Sequence, residues 1–568
     1  MSLRWVESHT LALPPPWDPA HYQSVALRIF HALSDSGWLA AWREIHALTP
    51  VSPPFFPLST VALYGLLGET RAVAHFTSSV YLGLHLLGAY LLGRRQHGVA
   101  GGLLSVALLS TFSAVINLSR DYHYDFPAAA FVTLAVACLL ASDGFTRLGP
   151  ATGFGIFLGL ATLTKSMAAP FLLGPLCHEL WSGLRGGARF RPAAISTAIA
   201  TAIAVAMPWW GLHVGDALRY LWYYGLAEGA APYAEAGTEP MSVRNLLYYA
   251  LALINHGASV PHFALALVVA AGATSGASEK QGSQASGGPL WAWLLTGYAL
   301  LTISINKSGD RYVVFLVTPV AVLLAGSILR LRPGRWRRTA LAGAAVAGAI
   351  NYAAWTFEGR WTPPVTVYHP LLQFVTERPR QQWLRVPYRV PDGEWPLAEV
   401  VQRIDARGSV FKTRSRERYL SARADCSRPE ELVRSAYLGL LGRPPDSAGG
   451  QIYASRLRAG EPVASVLLDI AHSEEFEDRS VRVLVVPDHV FVNAATLDYY
   501  AAAARARIQF IPLSEAAEGT VLEAGVSAGG DRPLNYPEQQ FLGPTHFERE
   551  VLQPCPSGTC LWLFAPAP

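Results

Sequence analysis

The stretch NLSRDYHYDFPAAAF, residues 117–131, places Arg120, Asp121, His123 and Asp125 between two apolar runs, with Tyr122 and Tyr124 interleaved. Three other charges stand in similar surroundings: Lys165 in GLATLTKSMAAP, and Lys307 and Arg311, the latter followed by Tyr312, in NKSGDRYVVF. A charge beside hydrocarbon is costly, so each needs a partner, water or a task. Cations at such a depth suit a phosphate, and arginine can grip it with two prongs. A carboxylate within reach of a hydroxyl can take its proton. Two aspartates stand out for that work: Asp125, ahead of one apolar run, and Asp18, in WDPAHY near the N-terminus. Each residue also has a plain structural role open to it. Asp18 followed by Pro19 is a good helix start, and Asp125 with Pro127 can cap a span. Lys165 can snorkel to the interface. Arg311, like Arg120, Tyr122, His123 and Tyr124, can be an interfacial anchor. His75 and His85 read as packed histidines inside an apolar run. No spacing compels a metal site, and a divalent cation is not indicated.

These residues need a scaffold, and the composition names its class. Of the 568 residues 51% are hydrophobic and 15% charged, where soluble proteins carry about 25% charge. Apolar runs near 20 residues long recur, so the chain reads as a polytopic α-helical membrane protein. About ten spans are expected, near 71–92, 97–118, 125–142, 150–164, 166–184, 191–212, 245–273, 290–305, 311–329 and 339–357. Arginines collect in three gaps that alternate onto one side: Arg94 and Arg95; Arg185, Arg189 and Arg191; Arg330, Arg332, Arg335, Arg337 and Arg338. That side is the cytoplasm by the positive-inside rule. The other face then receives residues 1–70, the DYHYD cluster, Lys165, the NKSGDR loop and everything after 357. The net charge of +4 is spread without a nucleic-acid footprint, which excludes that class of partner. Five cysteines are too few for a disulfide scaffold. Cys555 and Cys560 flank a turn-like PSGT and form either a small disulfide hairpin or two free thiols.

Two further segments carry structure. In HYQSVALRIFHAL, Tyr22, Val25, Ala26, Ile29, Phe30 and Leu33 make a helical apolar stripe, expected to lie on the outer leaflet. After residue 357 the composition turns soluble. EWPLAEVVQRIDARG, VRVLVVPDHVFV, ATLDYYAAAARAR and IQFIPL read as helix, strand, helix and strand of an α/β domain. An all-α piece, opened by a capping box of Ser427 and Glu430, is inserted in it. The expected division is 1–70, an outer first segment; 71–357, the membrane domain; 358–424 with 479–568, the α/β domain; and 425–478, the helical insertion.

WDPAHY, SPPFFPL, SRDYHYDFP, GLATLTK and DRYVVFLVTP occur in that order over roughly residues 14–360. Their combination resembles the family 39 type of GT-C glycosyltransferases, which includes the protein mannosyltransferases and the aminoarabinose transferase. The resemblance implies a GT-C fold and transfer of a sugar from a polyprenyl-phosphate carrier, the co-substrate, to a lipid, glycan or protein acceptor on the outer face. It implies an inverting reaction with Asp18 as general base and Asp125 as the second catalytic acidic position. Tyr22, Asp121, Lys165, Lys307, Arg311 and Tyr312 become substrate-binding candidates. The family places a span ahead of the first acidic segment and often a second acid after the first; here Pro19 follows Asp18. AYLGLLGRPPDSAGGQIYASRLRAG with HSEEF is similar to a bacterial helical domain of unknown function related to phycobilisome-linker repeats. That implies a binding module, with a protein partner for the insertion. The expected location is a bacterial inner membrane, multi-pass, with the C-terminal domain outside. The competing class is a transporter or flippase with an appended binding domain, which would carry polar groups through the membrane rather than along one edge.

Overall fold

The structure is a computed structural model. It describes residues 14–49, 51–185, 190–234, 241–274, 287–307, 310–356, 397–422, 428–441, 443–486, 492–516, 522–529, 547–553 and 560–566, with residues 6, 11 and 239. The chain forms two compact units, one of residues 1–10 and 29–388, the other of residues 11–28 and 389–568. Residues 11–28 thus group with the C-terminal unit and not with the rest of the first outer segment.

The first unit is helical, and a helix stands at each of the ten places where a span is expected. Among the described residues, three helices are long and apolar enough to cross a membrane: Arg71–Ser110, Pro192–Leu226 and Arg311–Arg330. A fourth crossing is available to the pair Val243–Ala258 and Val260–Gly272, bent by 104°. Phe55–Leu67, Asp125–Ala141, Leu148–Thr164 and Gly288–Ile303 are apolar but shorter.

The two expected spans 71–92 and 97–118 are the arms of one bent element. Arg71–Ser110 has 40 residues; straight, it would run about 60 Å, twice a bilayer core. It breaks at His97 and Gly98, where Gly98 takes φ +71°. The arms fold back on glycines: a Cβ on Gly93 would stand 2.7 Å from the Gly101 carbonyl oxygen.

Asp125–Ala141 is apolar on every side and buried along almost its whole length, which makes it the centre of this unit. It packs against Arg71–Ser110, Leu148–Thr164 and the largely buried Val314–Arg330. Two central helices therefore begin close to the charged residues singled out above: one with Asp125 itself, the other directly after the turn Asp310–Val313.

The expected stripe lies on the helix Trp17–Ser36, where Leu33 is exposed and Tyr22 and Phe30 are half-buried. Val25, Ala26 and Ile29 are buried by protein. A period of 3.6 shows that a face is covered but not what covers it.

In the second unit, strands β1 Val481–Val486, β2 Ile508–Pro512, β3 Ala524–Gly529, β4 Phe547–Gln553 and β5 Cys560–Pro566 form a sheet of order β2-β1-β3-β5-β4. β1 is parallel to β2 and β3, while β5 is antiparallel to β3 and β4. The helix Ala494–Ala503 makes the crossover between β1 and β2. Leu397, Val400, Val401 and Ile404 of the helix Leu397–Ala406 enter the same core as Val481, Val483 and Val485. The inserted helices pack around Val433, Leu440, Val466 and Ile470. Pro429–Ala436 opens with Arg428 at the cap position and no side-chain cap; Ser427 of the expected capping box lies outside the described residues. Residues 11–28 join this unit through the Thr496 hydroxyl, which donates to the Pro15 carbonyl at 2.9 Å. The stretch 358–396 and Cys555 lie outside the described residues.

Candidate active site

Asp125 is the first residue of the central helix and is 0% exposed. Three cationic or protonatable groups converge on its carboxylate. Lys165 Nζ is 2.5 Å from Oδ1, Arg311 Nε is 3.0 Å from Oδ2, and His123 Nδ1 is 2.9 Å from Oδ2. The helix start also favours a negative charge there.

Each partner is delivered by a break in regular structure. Lys165 ends the helix Leu148–Thr164 in extended conformation and opens the 3-10 turn Ser166–Leu172. Arg311 sits in the short turn Asp310–Val313 ahead of Val314–Arg330. His123 belongs to the non-helical link before Asp125. The Tyr312 ring lies beneath both cations, 4.8 Å from Lys165 Nζ and 5.7 Å from the Arg311 guanidinium carbon. Such ring faces attract cations and hold their direction.

One buried carboxylate thus stands between a lysine and an arginine. The Lys165 and Arg311 side chains keep 17% and 20% of their surface exposed, whereas Asp125 keeps none. The carboxylate is the inner counter-ion, and the cations face outward. Such an arrangement is suited to receive an anion whose oxygens accept hydrogen bonds.

The rest of the DYHYD cluster makes contacts within the unit. The Tyr122 N–H donates to Asp121 Oδ1 at 2.7 Å, and the Asp121 carbonyl accepts from the Ser78 hydroxyl at 2.7 Å. Arg120 donates to the Trp355 carbonyl at 2.7 Å and to the Thr356 hydroxyl at 3.1 Å, capping the end of the helix Arg335–Thr356. The Tyr122 hydroxyl pairs with Thr60 at 2.6 Å. Arg120, Tyr122, His123 and Tyr124 are all buried, which corrects their reading as interfacial anchors. His75 and His85 are packed as expected, against the Arg120 carbonyl and the Thr318 hydroxyl.

Lys307 is buried elsewhere in the same unit. Its Nζ donates to the carbonyls of Leu301 and Thr302 at 3.1 and 3.0 Å, closing the end of the helix Gly288–Ile303. Burial pulls its pKa down to about 8. Asp18 lies in the first turn of Trp17–Ser36, within the second unit, and Tyr22 follows with its ring edge-on to His21. The structure therefore brings together Asp125, Lys165, Arg311 and Tyr312, with Asp121 just ahead of Asp125 in the chain. Sequence reasoning missed His123 as a partner of Asp125; the available signal was its place two residues before the one acid that opens an apolar run. Among the described residues no three His, Cys, Asp or Glu side chains gather to hold a metal ion.

Residues 51–211 match the family of dolichyl-phosphate-mannose-protein mannosyltransferases, and residues 421–480 match a domain of unknown function, DUF4214. The crystal structure of ArnT from Cupriavidus metallidurans in the apo state is similar at TM-score 0.52 and 13% identity, over 97% of this chain and 94% of that one. The structure of the same protein bound to undecaprenyl phosphate is similar at TM-score 0.49 and 14% identity, over 97% and 95%. The Archaeoglobus fulgidus oligosaccharyltransferase in complex with Zn and sulfate gives TM-score 0.39 and 10% identity, over 90% of this chain and 61% of that one. No curated protein matches the chain. With its helical membrane unit and its C-terminal α/β unit, the chain has the GT-C glycosyltransferase fold, and residues 51–211 carry the mannosyltransferase-type region in which Asp125 and Lys165 lie.

Proposed function

We propose that this chain moves a sugar from a polyprenyl-phosphate carrier to an acceptor hydroxyl on the extracytoplasmic face of a bacterial inner membrane. The observation that carries the reading is the meeting of two partly exposed cations, Lys165 and Arg311, at the buried Asp125 carboxylate. ArnT binds undecaprenyl phosphate, and the same class of carrier is assigned here. In the reaction, the bond from the sugar's anomeric carbon to the phosphate oxygen breaks and a bond to the acceptor oxygen forms. The acceptor proton passes to a carboxylate, assigned to Asp18, and the electron pair leaves with the phosphate. Lys165 and Arg311 stabilise that developing charge. Attack opposite the leaving group inverts the anomeric centre. Asp125 fixes where the two cations stand and is a positioning residue in this scheme.

Sidedness supports one outer site. Lys165 and Arg311 meet at one carboxylate, so the chain between them crosses the membrane an even number of times. The helices Leu173–Arg185, Pro192–Leu226 and Gly288–Ile303 supply three crossings if each spans. The bent pair Val243–Ala258 and Val260–Gly272, taken as one broken span, then supplies the fourth. The arginine-rich gaps fall on the opposite, cytoplasmic side.

The test is purified protein incubated with radiolabelled polyprenyl-phosphate sugars and a membrane extract. Label moving into a new product that depends on Lys165 and Arg311 supports the reading. Vectorial movement of intact carrier with no product would replace it with a flippase.

A further inference from the structure

Between the helices Val243–Ala252 and Val260–Gly272, residues Leu253–Ala258 wind as a π-helix, and the chain turns at Ser259, whose φ is +90°. Single π turns inside helices cluster at functional sites. Four polar side chains are buried at this break: Asn255, His256, Ser259 and His262. His262 is engaged structurally, 2.9 Å from the Ser259 hydroxyl and 3.1 Å from the Thr111 hydroxyl. Asn255 is 2% exposed, and its Nδ2 and Oδ1 are both buried without a hydrogen-bond partner among the described residues. Orphaned amide atoms at a bent crossing are a standing cost that a packing role would not require. The π segment packs directly on the turn Asp310–Val313 that carries Arg311. A Cβ on Gly257 would stand 3.3 Å from Val313 Cγ2.

We propose that Asn255 is a specificity-determining residue that hydrogen-bonds hydroxyls of the carrier-linked sugar. This rests on the transferase reading above, with the carrier phosphate at Lys165 and Arg311. The carboxamide has one group that donates and one that accepts, and both lack partners. A phosphate only accepts, so it would leave Oδ1 unmet. Neighbouring sugar hydroxyls donate and accept together, so they satisfy both atoms at once. A site that commits buried polar groups to a substrate hydroxyl discriminates strongly against analogues lacking it.

The experiment uses the full-length protein in detergent. Binding of polyprenyl phosphate and of a panel of its hexosyl and pentosyl monoesters is measured for wild type, Asn255→Leu and Asn255→Ser. Asn255→Ser retains a small polar group in case Asn255→Leu does not fold. The variants should lose about tenfold or more in affinity for the preferred sugar ester, with affinity for the sugar-free carrier within about twofold of wild type. The preference among sugars should flatten as well. Equal losses for both probes would make Asn255 structural, and unchanged affinities would mean that water satisfies the amide; either result overturns the proposal. A wild type that binds the sugar-free carrier but shows no preference among the esters overturns it while the phosphate site stands. A wild type that binds neither probe removes the transferase reading, and Asn255 with it.

Discussion

Asp125→Asn separates a counter-ion from a ligand. The substitution keeps shape and removes one negative charge from a position that is 0% exposed. Lys165 and Arg311, at 2.5 and 3.0 Å, lose their inner partner. Removing one member of a buried pair typically costs about 3–5 kcal/mol, a large share of a stability of roughly 5–15 kcal/mol. The variant should therefore melt well below wild type in detergent. Carrier binding should change in the opposite sense, because an incoming phosphate no longer meets the repulsion of the Asp125 carboxylate. One additional unit of charge about 4 Å away is worth roughly 4 kcal/mol at an effective dielectric of about 20. The cations are 17% and 20% exposed, so solvent screens much of this. About 1.4 kcal/mol, a tenfold tighter Kd for polyprenyl phosphate, is the expected remainder. Turnover should fall, since the cations are no longer held where charge develops. The assays are thermal melting with and without polyprenyl phosphate, and direct carrier binding. A variant that melts with wild type would refute the counter-ion role, and one that binds the carrier more weakly would make Asp125 a ligand in its own right.

Three further outcomes follow from the same structure. Asp18→Asn should lower turnover about 100-fold or more, as for a positioned base, with the melting temperature unchanged; a variant retaining over about a tenth of activity excludes that role. Burial raises the Asp498 pKa to about 7, and Glu515 adds to this, while the Phe510 N–H and Arg28 oppose it. The folded pKa lies above the unfolded value near 4, so this contribution is full below about pH 4 and is lost as pH rises through about 7. Protection of β1 and β2 amides in the full chain, corrected for the intrinsic pH dependence of exchange, should fall over that window, and Asp498→Asn should abolish the fall. A reporter fused to the C-terminus should be active only outside the cytoplasm, and cytoplasmic activity would invert the proposed sidedness.

Much of the site could be read from residue type and setting. Asp125, Lys165 and Arg311 each declare themselves as charges that hydrocarbon does not tolerate unpartnered. Their meeting at one carboxylate was not legible, because it depends on four intervening helical segments and on breaks at Lys165 and Asp310–Val313. Lys307 has the same sequence signature as Lys165 but is spent on helix-end carbonyls, a use that spacing does not reveal. His123, like Arg120 and Tyr122, looked interfacial because aromatic and basic residues near a span end usually are; packing of Tyr122 on Phe56 and Thr60 buries the whole link instead. In the second unit, VRVLVV and the following helix announced the β1 crossover, whereas AGVSAG of β3 has too little side chain to signal a strand. Asn255 was silent in sequence, since a polar residue in an apolar run becomes informative only when its partners are known.

The central claim is that Lys165 and Arg311 hold the carrier phosphate. It is tested most directly by polyprenyl phosphate affinity in wild type, Lys165→Ala, Arg311→Ala and Arg311→Lys, with turnover measured alongside. Each Ala variant should lose roughly tenfold or more in affinity and more than that in turnover, because a charge-assisted bond of about 1.5–3 kcal/mol strengthens as the phosphate departs. Arg311→Lys should recover only part of the loss, since a point charge cannot copy the planar fork. Wild-type affinity in both Ala variants would contradict the account.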